Sequence, residues 1–169
     1  MDILVRKMLP NDWESVKRIY QQGIDSGNST FRRSVPPYES WMKSNLPVGR
    51  LVAEIEGRIA GWVTISRKSE RYAYRGVAEI SIYVDQDYKG HGIGTALLNE
   101  EIRISEEAGF WTLQSSLMEG NDASLALHKK CGFRVLGVRE RIAQDKYGIW
   151  RNGILMERRS KIVGIENNT

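Results

Sequence analysis

The chain has little of what would set it apart from an ordinary globular protein. It contains one cysteine, Cys131, so it can form no internal disulfide, in keeping with a reducing compartment. No apolar run approaches the roughly 18 residues that span a bilayer. The start, Met1-Asp2-Ile3-Leu4-Val5-Arg6-Lys7, places an acid first and its cations after the apolar residues. A signal peptide has cations first and a longer apolar stretch, so a cytoplasmic protein is expected. Low-complexity tracts and internal repeats are absent. Charge of one sign is not concentrated either. The formal net charge is +4, the cations are scattered, and no basic helix or aromatic–basic motif marks a nucleic-acid binder. So modest a charge equally suits an anionic cofactor.

What is present fits one domain. Its 169 residues, 41% hydrophobic and 27% charged, can bury a core and argue against disorder. Ile3–Met8 reads as a strand, and Pro10-Asn11-Asp12 breaks the chain before a helix. There Trp13, Val16, Ile19, Tyr20 and Ile24 recur at helical spacing to about Asp25. Thr30–Pro37 reads as a loop and Glu39–Asn45 as a short helix. Arg50–Ile55 and Ile59–Ile65 form a hairpin about Glu56-Gly57-Arg58, and Arg67–Gly76 is polar and loop-like. Val77–Val84 is the strongest strand signal. A helix follows, its stripe drawn through Ile93, Leu97, Ile104 and Ala108, and then a strand at Thr112–Leu117. Asn121–Cys131 is helical, and strands near Arg134–Ile142 and Ile149–Arg158 close the chain. The order predicts a single α/β domain over residues 1–162, built on one mixed, largely antiparallel sheet flanked by helices. A frayed tail is expected from Val163.

Three features carry chemistry. The first is the turn after Val84, where Lys89-Gly90-His91-Gly92-Ile93-Gly94-Thr95 opens a helix. Glycines admit positive φ and close approach of a ligand, and a helix start offers free N–H groups to a phosphate. The spacing fits neither the Rossmann nor the Walker pattern. The second is Asn121, Ser124 and His128, spaced to share one helix face; a helix cap followed by a solvated stripe fits the same spacing. The third is Glu79. Alternation puts Ala78, Ile80, Ile82 and Val84 on one face of the strand, with Glu79, Ser81 and Tyr83 on the other. A partly buried carboxylate has a raised pKa and suits a general base. A solvated or salt-bridged Glu fits the pattern as well. Cys131 reads as a packing residue, since no activating base is evident.

The turn Lys89–Gly94 resembles the pyrophosphate-binding signature of the GNAT superfamily of acetyltransferases, with Lys89 where Arg or Gln is usual. The resemblance implies acetyl-CoA as cosubstrate and no metal. It implies that the splayed strand end Ile82-Tyr83-Val84 offers backbone groups to pantetheine, that the helix bearing Asn121 and Ser124 lies along the CoA arm, and that His128 protonates the departing thiolate. Ala73-Tyr74-Arg75 before Val77–Val84, Leu127-His128, Gly132-Phe133-Arg134 and Lys146-Tyr147-Gly148-Ile149-Trp150 resemble the phosphinothricin and methionine sulfoximine acetyltransferases. That implies a homodimer and a small amino-acid acceptor held by Thr30, Phe31, Tyr74 and Arg75, with Glu79 as base. Arg32-Arg33 and Arg151 stand where that group more often carries acids, which makes the substrate surface more basic. Polyamines are poor candidates because they would meet Arg32, Arg33 and Arg75 without an obvious acidic cluster. The competing readings are acetylation of a protein N-terminus or lysine, and a CoA-binding module without catalysis.

Overall fold

The computed structural model describes residues 2–167. The chain runs β1 (Leu4–Lys7), α1 (Trp13–Ser26), α2 (Tyr38–Ser44), β2 (Leu51–Ile55), β3 (Arg58–Arg67), β4 (Val77–Val84), α3 (Ile93–Glu107), β5 (Thr112–Met118), α4 (Asp122–Lys130), β6 (Arg134–Gln144) and β7 (Trp150–Arg159). Short 3-10 turns lie at Pro10–Asp12, Tyr72–Tyr74 and Gln86–Tyr88. The strands form one seven-stranded sheet in the order β1-β2-β3-β4-β5-β7-β6. Every neighbouring pair is antiparallel except β4 and β5. Helix α3 makes that one parallel connection, which needs a crossover. The fold is therefore the mixed, largely antiparallel sheet flanked by helices that the sequence predicts.

The β2–β3 hairpin turns at Glu56 and Gly57, which both have positive φ (49° and 79°). Such a turn matches the twist of the strands it joins. Strand β4 shares its two faces between two cores. Ala78 and Ile80 pack with Ile93, Leu97, Leu98 and Met156 under α3. On the opposite face Tyr83 packs with Val16, Ile19 and Tyr20 of α1 and with Trp41 and Trp62. The Tyr83 ring stacks 4.9 Å from both Tyr20 and Trp62.

One expectation needs correction. The buried line of α3 is Ile93, Leu97, Leu98, Glu101, Ile102 and Ser105. Ile104 is only half-buried and Ala108 is exposed. Following apolar residues along the helix passed over a charged one, Glu101, which is fully buried. At the start of the tail Arg159 donates to the carbonyls of Val163 (2.7 Å) and Gly164 (2.6 Å). Asn168 and Thr169 lie outside the described residues.

Candidate active site

Strands β4 and β5 pair through Val77, Ala78 and Glu79 opposite Thr112, Leu113 and Gln114, and no further. Beyond that point β4 continues to Val84 while β5 stays paired with β7 through Met118. A cleft of about 820 Å³ opens at this splay. The glycine turn and α4 line one end, and the loop after α1 lines the other. Among the described residues, Glu79 is the one carboxylate that lines it; the cations are Arg32, Lys89, Lys130 and Arg139.

The turn is built to present main chain. Gly90 and Gly92 have φ of 81° and 83°, a region that favours glycine. Gly92 is the N-cap of α3, and the first helical bond runs from Ala96 N–H to the Gly92 carbonyl at 3.0 Å. The N–H groups before Ala96 are thus the orphan donors of a helix start, at the positive end of its dipole. Gly94 serves another purpose. A Cβ there would lie 2.8 Å from Leu127 Cδ2, so this glycine lets α3 and α4 approach. Ile93 faces the core, Lys89 and Thr95 line the cleft, and His91 is exposed outside it.

Helix α4 starts from Asn121, whose side-chain oxygen accepts from Ser124 N–H at 3.3 Å. Asn121 and Ser124 line the cleft. His128 also lines it, but the side chain is fully buried, with Phe133 edge-on at 5.0 Å. Its Nδ1 lies 2.7 Å from the Ser124 carbonyl oxygen. A carbonyl only accepts, so Nδ1 carries the proton. Burial pushes the imidazole below its ordinary pKa, and the Ser124 contact only partly opposes this. The ring is therefore neutral and Nε2 holds a lone pair, which is buried without a partner. In this tautomer Nε2 is an acceptor.

Glu79 is half-buried, and its Oε2 lies 2.8 Å from Lys68 Nζ. The partial burial is as expected, and of the alternatives the sequence left open the structure shows the salt-bridged one, with Lys68 as the cation. Where β4 ends, the buried Asp85 holds the turn. Burial would push its carboxyl up, but the Asp87 N–H, Arg18 and Gln22 outweigh it and hold it below the usual range.

Residues 13–133 match the family Acetyltransferase (GNAT). The chain belongs to the GNAT acetyltransferase family. It is an acyl-CoA-dependent acetyltransferase. It is 33% identical to a phosphinothricin N-acetyltransferase of Alcaligenes faecalis, over 91% of this chain and 81% of that one. It is 25% identical to an L-methionine sulfoximine/L-methionine sulfone acetyltransferase of Pseudomonas paraeruginosa, over 86% and 88%. A crystal structure of a GNAT phosphinothricin acetyltransferase from Sinorhizobium meliloti in complex with AcCoA superposes with a TM-score of 0.87. That pair is 28% identical and covers 100% of this chain and 94% of that one.

In this GNAT chain the cleft collects Thr30, Phe31, Glu79, Ile82, Tyr83 and Val84 with the glycine turn and the α4 face. It does not collect Tyr74 and Arg75. The Arg75 guanidinium lies over the rings of Tyr72 (4.0 Å) and Trp111 (5.2 Å), and its Nη1 donates to the Tyr72 carbonyl. Arg75 instead lines a second, shallower hollow with Arg67, Phe110 and Trp111. Sequence reasoning missed Gly23, where a Cβ would lie 2.5 Å from the Tyr83 ring. The signal available was a glycine inside a strong helix. It also missed Lys68, which follows β3 in a polar stretch that looks like solvated loop. Among the described residues, no group of three or more His, Cys, Asp or Glu is placed to hold a metal, and no helix is long and apolar enough to cross a membrane.

Proposed function

We propose that this acetyltransferase acetylates the α-amine of a small amino acid or analogue of the phosphinothricin or methionine sulfoximine type, by direct attack in a ternary complex. The observation that carries this reading is the charge layout of the cleft among the described residues: a helix start with unpaired main-chain N–H groups at one end, and at the splay a single carboxylate, Glu79. The orphan N–H groups of the Gly90–Thr95 turn suit the pyrophosphate of CoA, and the unpaired edge of Ile82–Val84 suits an extended amide-bearing arm. Bound acetyl-CoA supplies the acyl group as a thioester.

The rest is the chain's own contribution. Glu79 takes the proton that the amine must lose, directly or through water. His128 offers a buried acceptor at Nε2 and orients a donor against the cleft wall. Cys131 takes no part, since burial pushes its thiol up and away from the thiolate form. The same proposal includes one catalytic domain over residues 1–162, a cytoplasmic location and a homodimer. The edge strand β6 supports the last, since it exposes Val135, Leu136, Val138 and Ile142.

The deciding experiment is an acetyl-CoA-dependent thiol-release assay on phosphinothricin, methionine sulfoximine, spermidine and a short peptide. Higher kcat/KM for the two amino-acid analogues is expected. Preference for the peptide would move the assignment to protein acetylation, and preference for spermidine would reject the acceptor class.

A further inference from the structure

The loop between α1 and α2 crosses the splay and is tied to the far half of the sheet on both sides of a short span. Asn28 donates to the Gly120 carbonyl at 3.1 Å and accepts from Arg151 Nη2 at 3.2 Å. Arg33 reaches the Asp145 carbonyl at 3.4 Å. Between these anchors the Arg32 N–H donates to Thr30 Oγ1 at 3.1 Å, closing a local turn. Thr30, Phe31 and Arg32 line the cleft. Arg32 is charged, lies close enough to act on the phenols of Tyr20 and Tyr83, and has no salt-bridge partner among the described residues. Its neighbour Arg33 is committed outside the cleft, and Arg75 is stacked between two rings elsewhere.

We propose that Arg32 is the residue that selects a carboxylate-bearing acceptor. An α-amino acid is a zwitterion, and the acceptor end offers its complement: Glu79 for the ammonium and Arg32 for the carboxylate. A guanidinium can bind a carboxylate through two parallel N–H bonds. The anchored turn limits the entropy lost when it does. Phe31, beside it, supplies apolar surface for the stem between the two charged groups. The inference rests on the acceptor class proposed above.

The test compares methionine sulfoximine with the matched amine that lacks only the carboxylate, in wild type, Arg32→Met, Arg32→Lys and Arg75→Met. Arg32→Met raises KM for the carboxylate acceptor by about 10- to 100-fold, the scale of a charge-assisted pair. KM for acetyl-CoA and turnover of the carboxylate-free amine stay as they were. Arg32→Lys recovers part of the loss, because it keeps the charge without the planar fork. Equal loss on both amines, or a carboxylate-specific loss in Arg75→Met alone, overturns the assignment to Arg32 while leaving the acceptor class intact. No turnover of any α-amino acid analogue by the wild type overturns both.

Discussion

Glu101 offers a measurement of what burying one acid costs this fold. It sits on the core face of α3, fully buried, and neither carboxylate oxygen has a hydrogen-bond partner. Its Oε1 lies against Gly49, where a Cβ would be 2.1 Å away. Burial, with a smaller contribution from Glu100, pushes its carboxyl up from 4.5 to about 9. The folded state thus holds a proton here that the unfolded chain releases above its own, ordinary value. Between these two limits the folded state binds more protons, so stability falls as pH rises, by about 1.4 kcal/mol per pH unit. From pH 5 to pH 8 that amounts to about 4 kcal/mol from this one group.

Glu101→Gln copies the shape of the protonated acid and cannot ionise. It is expected to match wild type near pH 5 and to be more stable by several kcal/mol at pH 8, or about 10 °C in Tm for a domain of this size. Urea unfolding followed by circular dichroism at one-unit steps from pH 5 to 9 measures the difference. Parallel pH profiles for the two proteins, or a Gln variant less stable at pH 8, would refute the reasoning. Glu101→Met, which also removes the unpaired polar atoms, should gain about 1–3 kcal/mol even near pH 5.

Gly92→Asp puts negative charge where the turn is argued to hold pyrophosphate. The position is open, with the nearest atom 4.0 Å from a Cβ, and Asp tolerates positive φ better than most residues. The fold should survive while acetyl-CoA affinity falls by 10-fold or more for about 1.4 kcal/mol lost; unchanged affinity by calorimetry would displace the cradle. Glu79→Gln should lower kcat by about 10²-fold near neutrality, with a deficit that shrinks at high pH as the amine loses its own proton. A pH-independent deficit would assign Glu79 to positioning. Gly23→Ala should destabilise by about 1–2 kcal/mol, as overpacking against the stacked Tyr83 ring outweighs the helix-propensity gain. An unchanged urea midpoint would show that the ring can yield.

The sequence by itself determined the element order, the two faces of β4, and the glycine turn with the helix start that it opens. These depend on period-two and period-3.6 patterning and on glycine chemistry, all local to a few residues. It also carried the Asn121, Ser124 and His128 face, because a helix places those three by spacing alone. The tertiary structure decided the chemistry of each. The family resemblance implies a proton-donor role for His128, while its tautomer is set by the Ser124 carbonyl and its burial is against Phe133. Glu79 reads as a partly buried acid, yet Lys68 reaches it from across the β3–β4 pair. Arg75 and Arg32 look alike as flexible cations. Which of them meets the cleft depends on the rings of Tyr72 and Trp111 for one and on the Asn28 and Arg33 anchors for the other. Glu101 shows the limit most plainly. A charged residue on a helix reads as solvent-facing, and only the packing of α3 against the sheet places it inside. Contacts between residues far apart in the chain leave no periodic trace in it, so protonation, ion pairing and side-chain direction are settled only once the sheet has brought them together.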